Sequence, residues 1–335
     1  MISQQFEEVL NMMVYELYFE EHMKEKEIDE SSKEIIKPLL RGREIKKYAY
    51  NFQNKYVIFS HNGTKTKVRI DVPNSYKAIY QHLLKYKDKN SELIRPNSKG
   101  EIQTLVDRAD QGFHWANLRD CAYADSFEKD KIIWLSITDK PAFAYDNKGM
   151  HVTAPAYILT SKCNKYLLTM LNSKVMEWYL DKVSSSTGQG TNQWSKMFVE
   201  QLPIPQLSEE KRKPFEVLAD YLILLNDPNT PSIMEHASNE MISQQFEEVL
   251  NMMVYELYFE EHMKEKEIDV LQFINPEGSG QVFPDISKMQ SFEEKRDAIQ
   301  KIYYWLKEKD NPVRNRILVS ESRSWIIKRI NESTH

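Results

Sequence analysis

Cysteine is nearly absent: Cys121 and Cys163 are the only two in 335 residues. That excludes a disulfide framework and a four-cysteine zinc site, and it suits a reducing cytosol. Long apolar runs are missing as well. No stretch approaches the ~20 residues that span a bilayer, and the opening MISQQFEEVL is acidic and lacks a signal-peptide pattern. The expectation is a cytoplasmic protein with no membrane segment. Catalytic signatures are equally scarce. The eight histidines are scattered, with no HExxH and no Cys/His ligand cluster. Gly188-x-Gly190 begins a dinucleotide fingerprint, but Gln193 ends the match and no strand–turn–helix surrounds it. There is no Asn-Pro-Pro-aromatic tetrapeptide and no Gly-rich loop after a strand, so cofactor-dependent base methylation is not encoded. Pro284-Asp285 with Glu293-Glu294-Lys295 loosely imitates a metal-dependent nuclease, yet a solvated helix face accounts for SFEEKRDAIQ equally well. No catalytic residue, metal or cofactor is expected.

What is present is an ordinary folded composition, 41% hydrophobic and 28% charged, with a formal charge of −5. Residues 1–29, MISQQFEEVLNMMVYELYFEEHMKEKEID, recur without one change at 241–269. Solenoid repeats are degenerate and contiguous; an identical pair so far apart points to duplication, recombination or engineering. Each copy reads as an amphipathic helix. Phe6, Val9, Leu10, Met13, Leu17 and Tyr18 (246, 249, 250, 253, 257 and 258 in the second copy) form one stripe between glutamates. Pairing of the two copies, within a chain or as a homodimer, is one way to cover both stripes. Each copy carries eight acids and two lysines, whereas residues 30–100 hold 16 Lys and Arg against 6 Asp and Glu. The global acidity hides a basic segment.

In that segment the period changes from helix to strand. KYVIFS (55–60), Asn62-Gly63 and TKTKVRIDV read as a hairpin with Lys65, Lys67 and Arg69 on one face. Such a face can lie along phosphates, or it can be an edge strand whose lysines prevent aggregation. Lys46 and Lys47 are close in sequence. Tyr48, Tyr50, Phe52 and Tyr56 interleave with the basic residues and could stack on bases, although most such aromatics belong to a core. Further strands are expected at 131–137, 141–146 and 154–160. Helices are expected at Ser75–Tyr86, Lys165–Leu180 and Pro214–Leu225, the last with Pro214 at its first position. The polar loop 184–193 offers Gln189, Asn192 and Gln193, side-chain types that read base edges, and leads through Trp194 to Lys196. Equally, it is a plain surface loop.

Several runs together resemble a known family. IIKPLLRGREIKKY (35–48), FHWANLRDCAYADSFEKDKIIW (113–134), YLLTMLNSKVMEWYL (166–180) and EQLPIP (200–205) follow the order and spacing of the TaqI-like C-terminal specificity domain. That is the target-recognition domain of Type IIG restriction–modification enzymes, akin to Type I specificity subunits, and VYELYFEEHMKEKEID (254–269) is similar to the helix that follows it. The resemblance implies recognition of a short DNA sequence for a methyltransferase–nuclease part that belongs N-terminally and is expected to be absent here. It identifies Arg41-Gly42-Arg43-Glu44 as the entry motif, either structural or touching DNA. Trp115 and Tyr123 match family positions of the core, and Arg119 fits either role.

The resulting expectation is an α+β chain: a helix at 1–29, a β-rich recognition domain at 30–206, a helical scaffold at 207–269 and a helical extension at 270–335. By itself it is not an enzyme. It binds double-stranded DNA through Arg41, Arg43, Lys46, Lys47, Lys65, Lys67, Arg69, Arg119 and Lys196, with Gln189, Asn192 and Gln193 reading bases. The rival reading is a protein–protein scaffold whose basic segment is only a solvated surface.

Overall fold

The computed structural model describes residues 14–15, 30–96, 100–109, 111–120, 123–138, 140, 142–183, 192–274 and 282–334. The first part of the chain holds strands β1 (Val14–Tyr15), β2 (Ile36–Leu40) and β3 (Tyr56–Ile58), with helices α1 (Glu30–Lys33), α2 (Val72–Ser75) and α3 (Lys77–Leu84). The middle adds β4 (Lys131–Leu135), β5 (Ile137–Thr138), β6 (Phe143–Asp146), β7 (His151–Val152), β8 (Ala156–Leu159) and β9 (Asn192–Gln193). Between β8 and β9 lie α4 (Asn164–Leu171) and α5 (Lys174–Val183). Helices follow: α6 (Lys196–Val199), α7 (Glu209–Asn226), α8 (Asn239–Glu265) and α9 (Leu271–Ile274). The last three are α10 (Phe292–Trp305), α11 (Pro312–Arg323) and α12 (Trp325–Ser333). This is the α+β class expected. The chain divides into two units, one of Met1–Glu44, Phe52–Lys131 and Asp146–Thr160, the other of Ile45–Asn51, Ile132–Tyr145 and Ser161–His335.

In the first unit one sheet runs β1-β3-β2-β7. β2 pairs antiparallel with β3, Ile36 opposite Ile58, and parallel with β7, Leu39 opposite His151. Ile35, Ile36, Ile58, Val72, Ile79, Leu83 and Leu105 form its core, with Trp115 and Tyr56 packed against it. One charged pair is wholly enclosed. The Lys131 ammonium donates to the Asp146 carboxylate, both at 0% exposure, and to the Phe127 carbonyl at 2.6 Å. Asp146 in turn accepts the N–H of Lys148 at 3.0 Å and of Met150 at 2.9 Å.

In the second unit the segment 45–51 adds to β6: Tyr48 N–H donates to Phe143 O at 2.8 Å and Tyr145 N–H to Tyr48 O at 3.1 Å. Helices α4, α7 and α8 pack together through Tyr166 on Phe215 and Tyr221 on Phe246. α8 contains the second copy of the repeat. Phe246, Val249, Leu250 and Met253 are buried within this unit, and Leu257 and Tyr258 are half-buried. Glu256 is buried as well and accepts the N–H groups of Val270 and Leu271 at 2.6 and 2.8 Å.

Five local expectations are corrected. In the first copy the described residues, Val14–Tyr15, are extended and pair with Val57 and Tyr56, not helical; the other positions of 1–29 lie outside the described residues. The same two residues in the second copy, Val254 and Tyr255, are helical. The expected helix 165–180 is broken at Asn172, whose side chain accepts from Phe143 N–H at 3.1 Å and donates to Phe143 O at 2.9 Å. Satisfying β6 takes precedence over helix continuity. The helix 75–86 starts early, as α2, because Asp71 caps Asn74 N–H, and restarts as α3. Pro214 lies inside α7 because Ser208 caps the helix six residues earlier, accepting from Lys211 N–H. The strand expected at TKTKVRIDV does not form, for reasons given below.

Two outcomes follow from the first unit. Asp146→Asn strips the counter-charge from an enclosed ammonium and should cost roughly 3–5 kcal/mol in urea unfolding; adding Lys131→Met should recover part of that loss. His151 is held between Phe59 and Phe127, at ring distances of 4.6 and 4.4 Å, with Nδ1 3.2 Å from Gly149 O and Nε2 unpartnered. Burial pushes its pKa down to about 4. The neutral ring is therefore the folded form, so stability is complete above pH 6.5 and declines as pH falls toward 4. At that limit the loss is up to about 3 kcal/mol. His151→Phe should flatten this part of the pH–stability curve; half-buried His82, also near 4, adds in the same direction.

Candidate nucleic-acid interface

The loop 61–71 holds Lys65, Lys67 and Arg69, and local side-chain chemistry shapes it. Asn62 does not serve the two-residue turn its dipeptide predicts. Its amide donates to Asp120 at 2.6 Å and accepts from Phe113 N–H at 2.7 Å. The Thr64 hydroxyl accepts from the N–H groups of Thr66 and Lys67 at 3.1 and 2.9 Å, while Thr64 N–H donates to Lys67 O at 2.9 Å. These bonds consume the backbone groups a second strand would need. Ile70 N–H returns to His61 O at 3.2 Å and closes the loop. Its tip, residues 65–68, is exposed.

A second loop is fastened beside it. Leu118 N–H donates to Ser60 O at 2.9 Å, Ser60 Oγ to Ala116 O at 2.7 Å, and Asn117 to Ile70 O at 2.9 Å. The buried Arg108 guanidinium donates to the carbonyls of Trp115 and Asn117 at 2.7 and 2.9 Å. Gly112 is pressed against both neighbours: a Cβ there would lie 2.5 Å from Leu118 O and 2.8 Å from Asn62 Cγ. From this clamp Phe113 projects at 80% exposure, with the Arg69 guanidinium 4.5 Å from its ring centre. Lys87 lies 5.7 Å from the Trp115 ring.

Beneath the first loop a cleft of about 720 Å³ is lined by residues of both signs, among them Lys37, Lys67, Arg69, Asp125 and Glu128. Thr64 and Thr66 hydrogen-bond Asp125 and hold its carboxyl below the ordinary range, with Lys67 assisting. Glu128 pairs with Lys37 at 3.1 Å. The cleft is thus internally neutralised, and the net positive charge faces outward on the tip. His61 and His114 are held below their ordinary pKa by burial first, then by Lys67 and Arg69 respectively. Near neutral pH neither adds charge.

The structure brings Lys65, Lys67 and Arg69 onto one loop and places exposed Arg119 on the adjoining one. They are not the flat strand face that alternation suggested. Arg41 precedes and Arg43 lies within a 3-10 turn (Gly42–Glu44) closed by Arg41 N–H on Glu44 Oε2 at 2.8 Å, with Arg43 exposed. In the second unit Lys46 is exposed, while Lys47 donates to Glu247 at 2.7 Å and ties the entry segment to α8. Lys196 lies 3.4 Å from Glu200 on the surface, a pairing of little strength. Asn192 and Gln193 form β9 opposite Thr138 and Ile137. Buried Trp194 anchors that stem, its N–H groups donating to Ser136 O at 2.6 Å and Thr138 O at 3.1 Å. Gln189 lies outside the described residues.

Of the aromatics, Tyr48 is buried and Tyr50, Phe52 and Tyr56 are half-buried, whereas Tyr123, expected in the core, is 58% exposed. Phe113 and the Lys131–Asp146 pair were not singled out by sequence reasoning. The signals were a glycine before an aromatic, and a lysine and an aspartate at the outer ends of two apolar strands. The nuclease-like residues have other work. Asp285 pairs with Lys213 at 2.7 Å, and Glu294 caps α10 by accepting from Ser291 N–H. Among the described residues no three His, Cys, Asp or Glu side chains gather as a metal site, and no helix is long and apolar enough to cross a membrane.

The two fastened loops present Lys65, Lys67 and the Phe113 ring on the surface of the first unit. The family model of the TaqI-like C-terminal specificity domain matches residues 37–204, half of the chain, and the chain belongs to that family. Residues 37–204 are thus a target-recognition domain of the TaqI-like type, a domain associated with DNA sequence recognition in restriction–modification. No curated protein matches the chain.

The clamp is testable by itself. Gly112→Ala must push Leu118 and Asn62 apart and should cost about 1–3 kcal/mol. Faster amide exchange is expected at 112–118, with the second unit unaffected.

Proposed function

We propose that this chain recognises a short sequence in duplex DNA and positions a Type IIG-like methyltransferase–endonuclease part, within the cytoplasm and without a cofactor of its own. The observation that carries the reading is the outward-facing tip Lys65-Thr66-Lys67, held in shape by Thr64 and Asn62. Lys65, Lys67, Arg69 and Arg119 would neutralise phosphates and set register, with Arg43, Lys46 and Lys196 as further contacts. Base reading would fall to the polar loop ending at Asn192 and Gln193, with Gln189 in it. Lys47 is better explained as a tie to Glu247, and the Arg41 turn as structure. On this reading 30–206 is the recognition domain, 207–269 the scaffold and 270–335 an extension. The extension leaves Leu318 and Trp325 exposed, at 65% and 73%, as a face for the catalytic part. That face also supports the rival scaffold reading. A homodimer through the repeats has less support, because the second copy's stripe is already largely covered within its own unit.

Anisotropy titrations on duplex DNA separate the readings. With about five phosphates neutralised, log K should fall against log salt with a slope near −4 to −5. Lys65→Ala or Lys67→Ala should lower that slope by about 1 and weaken all sequences alike. Lys47→Ala should leave it unchanged. Gln193→Ala or Asn192→Ala should cost about 1–3 kcal/mol on a selected site only. Binding at low salt should vary little between pH 7 and 8, because His61 and His114 stay neutral. No binding at about 50 mM salt leaves the scaffold reading standing.

A further inference from the structure

Among the described residues of the first unit, Phe113 is the least protected aromatic ring, at 80% exposure, and Val68 on the neighbouring tip is 89% exposed. Such exposure is usual for a side chain on a loose loop, and this loop is not loose. The Phe113 N–H is bonded to Asn62, the Gly112 N–H donates to Asn117 O at 3.2 Å, and Gly112 has no room to shift inward. The backbone aims the ring outward although Trp115, two residues on, packs on the core. A ligand that covers it need not supply the ordering cost, because the loop is already set. The Arg69 guanidinium over the ring at 4.5 Å adds a cation to the same protrusion, and Lys65 and Lys67 follow on the neighbouring tip. A partner that suits an apolar plane edged by three cations must offer flat apolar surface bordered by anions. Stacked bases between phosphate strands answer that description.

We propose that Phe113 inserts as a wedge at one base step of the recognised duplex, with Arg69 following it to the groove or phosphate edge. This rests on the DNA-recognition reading above and names how part of the sequence is read. Opening a step is easiest where stacking is weakest, so the wedge selects for a deformable step, pyrimidine–purine above all, without a hydrogen bond to either base. The cations that flank the ring hold the strands whose stacking it disrupts.

The test uses the full chain and a duplex selected by it from a random-sequence library, resynthesised with 2-aminopurine at each position in turn. Wild-type protein should raise the fluorescence at one step, the signature of unstacking, and Phe113→Trp should retain the rise. Phe113→Ala should abolish it and weaken the selected duplex by about 5- to 100-fold, with binding to random duplex unchanged within about twofold. Since the ring covers no core, the circular dichroism and melting of Phe113→Ala should match wild type. A duplex with an abasic position at that step, where unstacking is already done, should restore much of the variant's affinity. Firm binding with no fluorescent step and no effect of Phe113→Ala overturns the wedge while leaving DNA recognition intact. An equal loss on a single-stranded oligonucleotide assigns the ring to strand stacking and also overturns it. If no duplex is selected at all, the recognition reading falls first and the wedge with it.

Discussion

An ion pair shut away from water holds the first unit in order. Lys131 and Asp146 stand where the chain leaves that unit and where it returns, and neither is exposed. Two enclosed charges cost several kcal/mol each in lost hydration, repaid only when every donor and acceptor is used. Here the ammonium also holds Phe127 O, and the carboxylate gathers the N–H groups of Lys148 and Met150. The dependence runs outward from there. Phe127 stacks on His151, His151 lies in β7, and β7 extends the sheet through β2 to β3, whose end leads into the cationic loop. An apolar pair of equal volume could fill the same space but would not fix which turn meets which strand end.

Much of this architecture was legible in the sequence wherever one periodicity ruled a segment. β4, β6 and β8 fall inside the expected strands, and α7 and α8 carry the expected apolar faces. Failures fall where a polar side chain bonds backbone, either nearby, as Thr64, Asp71 and Ser208 do, or far away in sequence. Asn62 reads locally as half of a turn signal, but its partners are Phe113 and Asp120; Asn172 reads as helix interior, but it completes Phe143. No local pattern contains such partners. The repeat sharpens the lesson, since Val-Tyr is helical in α8 and extended in β1. At the candidate site, alternation gave the basic segment the wrong shape, a strand where Thr64 folds a loop.

The two loops also divide labour between staying in place and facing outward. Arg108, Asn117, Gly112 and Asn62 are bonded or packed on nearly every side. Lys65, Thr66, Val68 and Phe113 have solvent on theirs. Charge follows the same division, because acids neutralise the cleft below and leave the tip basic. In the helical unit the enclosed residue is Trp194, next to β9.

The Asn62 clamp has an evolutionary corollary. One amide holds two loops by bonds to a backbone N–H and a carboxylate, and none of these depends on what stands at 65–68 or on the side chain at 113. Surface changes at such positions usually move stability by less than about 0.5 kcal/mol. The lineage can therefore exchange tip residues one at a time and keep a folded intermediate at each step. A change at the tip costs the fold almost nothing, and the residues hardest to replace are those of the clamp beneath it.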